Sequence, residues 1–187
     1  MRVLIDPGHG PGNANRGPTG YFEHEGMWLL SNFLQTELRE RGITADLTRS
    51  ESQDPTLLRR GQMARGYSLF VSQHSNAFNG RVRGAEVFYS VRQPSNERHA
   101  AALSDAVAWL MRNPDRGAKI KRNARIPASD HFGVIRHAVA VGCPHVYLAE
   151  NGFHDNLQDE AWLKNTNNLR ALADVQAQVI QKILGGG

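Results

Sequence analysis

Cysteine is almost absent from this sequence of 187 residues, which contains Cys143 alone. One thiol cannot form an internal disulfide or a cysteine metal cluster, so we expect a buried free thiol. Aromatic residues make up 7% of the chain, which leaves no aromatic-rich face for stacking nucleic-acid bases. No apolar run approaches the roughly 20 residues of a membrane helix, and the opening apolar segment is too short for a signal peptide. We therefore expect a protein made in the cytoplasm, with no membrane insertion and no nucleic-acid partner.

Basic residues exceed acidic ones, with 22 Lys and Arg against 18 Asp and Glu and a net charge of +4 at pH 7. An excess of this kind suits an anionic partner, such as nucleic acid, a membrane surface or a bacterial wall polymer, and the charge alone does not choose among them. The basic stretch 113–130 is interrupted by Pro114 and Pro127, and we expect a long surface loop there, either functional or merely solvated.

Segments with strand-like and helical patterns alternate along the chain, which predicts an α/β fold with a mostly parallel sheet. The strands are expected at 3–5, 43–48, 69–74, 84–91 and 145–150, and the helices at 28–41, 55–65, 95–111 and 169–184. No linker or internal repeat divides the sequence, so we expect one domain over residues 1–187.

Titratable side chains follow three of the apolar strands. His9 follows the first strand, His74 ends the third and Glu150 ends the last. Ligands in α/β proteins collect outside the carboxyl ends of strands, so these side chains are expected to meet at one sheet edge. Two imidazoles and a carboxylate suit Zn²⁺. Asn76 is a candidate for substrate binding or for orienting a ligand, and His131 and His154 are weaker candidates for the rim.

A catalytic zinc site usually has three protein ligands, and the third is open between Glu23, His24 and Glu25. Helical register favours Glu23, because the positions that share its face are apolar: Met27, Leu30, Leu34 and Leu38. The same offsets from Glu25 lead mostly to polar residues. A carboxylate at Glu23 would therefore face the sheet.

Several motifs, in order over nearly the whole chain, resemble the zinc-dependent N-acetylmuramoyl-L-alanine amidases of the type-3 family. They are L-I-D-P-G-H-G at 4–10, F-E-H-E-G-M-W-L-L at 22–30, L-T-R at 47–49, L-F-V-S-Q-H-S-N-A at 69–77, G-A-E-V-F-Y at 84–89 and L-A-E-N-G-F-H-D-N at 148–156. The resemblance implies one Zn²⁺ per chain held by His9, Glu23 and His74, with Glu150 as the catalytic glutamate. It also implies a mixed, mainly parallel sheet flanked by helices on both faces. Gln73 departs from the family, which usually has an aliphatic residue there.

The resemblance implies hydrolysis of the amide between N-acetylmuramic acid and L-alanine in peptidoglycan, with lysis of the bacterial wall. Glu150 would be the general base for a water molecule that the metal activates. Such a protein would act on the wall after release, as a phage endolysin or an autolysin domain. The alternatives are a zinc peptidase or deacetylase acting on another wall bond, and a basic wall-binding module without catalysis. The oligomeric state stays open.

Overall fold

The computed structural model describes residues 1–185, and Gly186 and Gly187 at the end of the predicted domain lie outside the described residues. Six strands and six α-helices follow one another along the described chain, mostly in alternation. They are β1 (Arg2–Pro7), α1 (Glu23–Glu40), β2 (Thr44–Leu47), α2 (Leu57–Gln62), β3 (Leu69–Asn76), β4 (Ala85–Tyr89), α3 (Glu97–Met111), β5 (Asp115–Lys119), α4 (Gly133–Ala140), β6 (His145–Phe153), α5 (Leu157–Leu163) and α6 (Thr166–Gly185). Over residues 1–185, no helix combines the length and apolar character needed to cross a bilayer.

The six strands form one sheet in the order β2-β1-β3-β6-β4-β5. Every neighbouring pair is parallel except β4 and β6, which run antiparallel. The predicted α/β class and the mixed, mainly parallel sheet are therefore confirmed.

Helices cover both faces of the sheet, as predicted. Successive strand residues point to opposite faces, so Val3 and Ile5 pack in the core under α1, α3 and α6. Leu4 lies between them in sequence and packs on the other face, in the smaller core that includes α4. Strands buried on both faces need continuous apolar runs, and such runs predicted β1, β3 and β6 from the sequence. Cys143 is buried in the smaller core, as expected, and burial raises the pKa of its thiol to about 11.

The prediction that residues 113–130 form a long loop is wrong in part, because they contain strand β5. The sequence of β5, Asp-Arg-Gly-Ala-Lys, lacks apolar alternation because β5 lies at the edge of the sheet and pairs only with β4. Gly117 adopts a φ of 75°, and the register of the β4–β5 pair shifts next to it. The sequence also gave no signal for the short helices α4 and α5, and α1 begins at Glu23, five residues before the predicted start at Trp28.

Gln73 is fully buried, and two other buried amides compensate for its polarity. Its side chain accepts a hydrogen bond from Asn151 at 2.8 Å and donates one to Gln176 at 2.8 Å. Buried polar groups are tolerated when they are paired in this way. A polar residue is therefore tolerated at position 73, where the family usually has an aliphatic one, because Asn151 on β6 and Gln176 on α6 satisfy its hydrogen bonds.

The carboxyl ends of β1, β3 and β6 lie side by side, with Pro7 opposite Gln73 and His74 opposite Glu150. Because β4 runs the other way, its early residues reach the same edge, and Glu86 lies opposite Glu150. One edge of the sheet thus collects residues from four strands.

Candidate metal centre and cleft

His9, Glu23 and His74 converge at this edge, and their ligand atoms all lie within 4.8 Å of one another. Glu23 Oε2 lies 3.1 Å from His9 Nε2, and Glu23 Oε1 lies 3.0 Å from His74 Nδ1. Glu23 is the first residue of α1, so its carboxylate also lies at the positive end of the helix dipole. His24 and Glu25 take no part in this group, and the Glu25 side chain is 69% exposed.

The carboxylate of Glu23 is buried and held from both sides. Besides the two histidines, Oε1 accepts a hydrogen bond from the Ser75 backbone N–H at 3.1 Å, and Oε2 accepts one from Asn15 Nδ2 at 2.9 Å. Burial alone would raise the pKa of Glu23, but the hydrogen bonds and charges of His74 and His9 outweigh it and lower the pKa well below its usual value. Glu23 is therefore ionised and fixed in orientation.

His9 occupies a left-handed backbone conformation, with a φ of 59°, which is uncommon for a residue other than glycine. The preceding turn packs closely on β3, because a Cβ added to Gly8 would lie 2.5 Å from the His74 ring. Two buried arginines bind the carbonyls of this turn. Arg49 Nε donates to Pro7 O at 3.0 Å, and Arg60 donates to Pro7 O at 2.7 Å and to His9 O at 2.6 Å.

Glu150 lies beside this group on β6 and is 9% exposed. Its Oε2 atom is buried and has no hydrogen-bond partner among the described residues. Burial raises the pKa of Glu150 well above its ordinary value, and the neighbouring carboxylates of Glu23 and Glu86 raise it further. A carboxyl group in this environment holds a proton more readily than an ordinary glutamate does.

Glu86 is a buried residue at this edge that the sequence analysis did not single out. Its Oε1 accepts a hydrogen bond from Asn76 Nδ2 at 3.1 Å, so Asn76 is anchored to a carboxylate on β4. Its Oε2 accepts from Arg116 Nε at 2.7 Å and from Lys119 Nζ at 2.5 Å. Burial opposes ionisation, but Lys119 and Arg116 lower the pKa of Glu86. The feature of the sequence that could have pointed to Glu86 is the presence of a glutamate within the apolar run G-A-E-V-F-Y.

A cleft of about 690 Å³ opens over these residues. Its floor includes His9, Glu23, His74 and Glu150, and one wall is apolar, with Pro55, Leu57, Phe132 and Val134. Asn76 and His154 also line the cleft, and the His154 ring contacts Ser75 Oγ through Nδ1 at 2.9 Å. His131 is not among the lining residues.

The donor set of this cleft fits a zinc ion. Two imidazole nitrogens and one carboxylate oxygen are ligand types that Zn²⁺ binds. Ligand atoms at tetrahedral positions about 2.0 Å from one ion lie roughly 3.3 Å apart, close to the separations between Glu23 and each histidine. Three protein ligands leave one position for water or substrate, which is the arrangement of catalytic zinc sites.

A family model described as N-acetylmuramoyl-L-alanine amidase matches residues 3–182. The N-acetylmuramoyl-L-alanine amidase CwlM of Bacillus licheniformis is 25% identical over 179 residues, which cover 92% of this chain and 64% of that protein. The sporulation-specific N-acetylmuramoyl-L-alanine amidase of Bacillus subtilis (strain 168) is 25% identical over 186 residues, covering 97% of this chain and 68% of that protein. This chain therefore spans about two thirds of the length of these curated relatives.

Solved structures share the fold over almost the whole chain. The catalytic domain of CwlV, an amidase from Bacillus (Paenibacillus) polymyxa var. colistinus, superposes with a TM-score of 0.84 at 24% identity, covering 99% of this chain and 98% of that one. The amidase AmiC2 of Nostoc punctiforme superposes with a TM-score of 0.83 at 26% identity, covering 99% and 97%.

Proposed function

The chain belongs to the N-acetylmuramoyl-L-alanine amidase family, and from this premise we propose that it hydrolyses the amide between N-acetylmuramic acid and L-alanine in peptidoglycan. The observation that carries the proposal is the convergence of His9, Glu23 and His74 beside the unpartnered carboxylate of Glu150. A hydrolase of this kind opens the bacterial wall, and we propose that role for it, as an endolysin or an autolysin.

We propose that His9 Nε2, Glu23 and His74 Nδ1 hold one Zn²⁺ per chain. When bound, the ion supplies a Lewis acid that lowers the pKa of a water molecule and polarises an amide carbonyl. Asn15 and the Ser75 N–H keep the Glu23 carboxylate oriented, and Arg60 holds the backbone of the His9 turn. Ligands bind zinc in their deprotonated forms, so zinc affinity should fall as the pH is lowered.

Glu150 acts as the general base and then as the general acid. It accepts a proton from the attacking water and returns it to the nitrogen of L-alanine, because an amide nitrogen leaves poorly unless it is protonated. The raised pKa of Glu150 supports the second step, since the group must hold the proton until the nitrogen takes it. The Oε2 atom supports the base role, because no donor within residues 1–185 competes for that oxygen.

The test is an analysis of products from purified peptidoglycan treated with the zinc-loaded protein. We expect stem peptides with new L-alanine amino termini and no new reducing sugar ends. Released terminal D-alanine would indicate a zinc peptidase, and released acetate would indicate a deacetylase. Binding to the wall without any soluble product would favour the non-catalytic module. The Glu150→Gln variant is the control, because it keeps the size of the side chain and removes the base.

A further inference from the structure

Three basic side chains lie in a row on and after strand β5, and we call Arg116, Lys119 and Lys121 the cation row. Arg116 and Lys119 both bind Glu86 Oε2. Lys121 is exposed, lies 5.4 Å from the centroid of the Phe132 ring and forms no salt bridge with any described residue. The Glu86 carboxylate therefore binds two of the three cations, and the row keeps a net positive charge.

The charge of the whole protein is concentrated around this row. Residues 112–130 contain six Lys and Arg against two Asp, a net charge of +4, which equals the net charge of all 187 residues. The rest of the chain contains equal numbers of acidic and basic side chains. An anion approaching the molecule is therefore drawn to this segment rather than to the surface in general.

The register of the sheet sets the distance between the cation row and the candidate metal centre. His74 lies opposite Glu150, and Glu150 lies opposite Glu86. On the far side of β4, residues 85 and 87 pair with residues 115 and 118. Adjacent strands are about 4.8 Å apart, so the part of β5 next to Glu86, which includes Arg116, lies roughly 10 Å from Glu150 across the sheet. An extended peptide covers that distance in about three residues. Lys121 follows the strand and lies over the ring of Phe132, which lines the cleft.

Glu86 holds Arg116 of the cation row in an ordered position before a ligand binds. It fixes Arg116 through Nε alone, and the planar guanidinium also packs 5.1 Å from the centroid of the Phe153 ring. The terminal nitrogens of Arg116 hydrogen-bond to no other described residue and remain able to bind a carboxylate in a forked geometry. A side chain that is already ordered loses less entropy when it binds.

We propose that the cation row binds a free carboxylate of the peptidoglycan stem peptide, two or three residues from the amide that is cut. This inference rests on the proposed function. The N-acetylated sugars are uncharged, and the lactyl carboxyl group is consumed in the amide itself. Carboxylates remain on the peptide side alone. The peptide therefore extends from Glu150 towards β5, and the sugar lies towards β1 and α2.

The experiment compares two soluble muramoyl peptides that differ only in whether the residue after L-alanine carries a free carboxylate or its carboxamide. The zinc-loaded full chain should cleave the carboxylate form with the higher kcat/KM. Lys121 also lowers the pKa of Glu150, an effect common to both substrates. Lys121→Gln should therefore lower the ratio of kcat/KM for the carboxylate form to that for the carboxamide form about two- to fivefold, the effect of one exposed charge. Lys121→Glu should lower it by roughly the square of that factor.

Arg125→Gln and Arg125→Glu are the matched controls, because Arg125 is exposed on the same segment and outside the row. They should leave the ratio between the two substrates unchanged. As a readout independent of the metal, the carboxylate product peptide should shift amide resonances near Lys121 in the metal-free chain, and its carboxamide should not. Equal effects of Lys121→Glu on both substrates would overturn the inference. Cleavage of neither substrate by the unmodified protein would overturn the proposed function, and the inference with it.

Discussion

Arg60 on α2 should control both the stability of the protein and its affinity for zinc. Its side chain is 2% exposed and donates five hydrogen bonds, to the Asp6 and Asp54 carboxylates and to the backbone carbonyls of Pro7, His9 and Pro55. Arg60→Lys keeps the charge but offers three donors instead of five. The Asp6 carboxylate keeps Thr48 and Pro7 O keeps Arg49, whereas His9 O and Pro55 O accept from Arg60 alone within residues 1–185 and lose their partner. At about 1–3 kcal/mol for each unsatisfied buried group, the loss in unfolding free energy is about 3 kcal/mol.

Urea unfolding of the metal-free protein measures this loss. With an m-value of about 2 kcal/mol/M, a change of about 3 kcal/mol lowers the midpoint by about 1.5 M. Zinc affinity, measured by competition with a chelator, should fall about 10- to 100-fold, as it does when groups that orient a metal ligand are removed.

Arg59→Lys is the matched control for this experiment. Arg59 precedes Arg60 on the same helix, but its side chain is exposed and forms no hydrogen bond within residues 1–185. The control should leave both the midpoint and the zinc affinity unchanged. An Arg60→Lys variant with wild-type stability and wild-type zinc affinity would refute the role assigned to the turn that carries His9.

Four further outcomes are expected. Glu23→Ala should lose zinc, measured by elemental analysis, whereas Glu25→Ala should retain it; the reverse result would mean that the wrong carboxylate has been assigned. Chelation should abolish release of stem peptides and added Zn²⁺ should restore it, so full activity of the metal-free protein would contradict a zinc enzyme. Glu150→Gln should keep its zinc and lose about 10² to 10⁴ in turnover, and normal turnover would remove Glu150 from the mechanism. In the metal-free protein Glu150→Gln should also raise the free energy of unfolding, by an amount that grows as pH rises above 4.5. The reason is that folded wild-type protein then holds a proton on Glu150 that the unfolded state has released. A stabilisation that shrinks as pH rises would show that the anionic form of Glu150 is not disfavoured in the folded state.

The part of the fold that was predictable from the sequence is the part buried on both faces. Strands β1, β3 and β6 each contain an apolar run because helices cover both sides, and the histidines at 9 and 74 stand out after those runs. Strand β5 carried no such signal, because an edge strand exposed to water needs no apolar pattern. The apolar period placed the start of α1 at Trp28, and the observed start at Glu23 agrees with the helical register that singled out Glu23 as a ligand.

The residues that support the candidate site were harder to predict than the ligands. Nothing local in the sequence shows that Arg60 reaches back 51 positions to the carbonyl of His9. The role of Glu86 depends on the one antiparallel pair of the sheet, which brings the start of β4, rather than its end, next to Glu150. Contacts of this kind are set by topology, and periodicity along the chain does not encode topology.

The position of β5 at the edge of the sheet has a consequence for solubility. An unpaired strand edge presents backbone N–H and C=O groups that a second copy of the protein can bind, and this pairing is a common start of aggregation. Charged side chains and local irregularities discourage it, and β5 has both in Arg116, Lys119 and the positive φ of Gly117. The same cations would thus recognise substrate and keep the molecules apart. Variants in which apolar residues replace these cations should therefore self-associate before any loss of catalysis is seen.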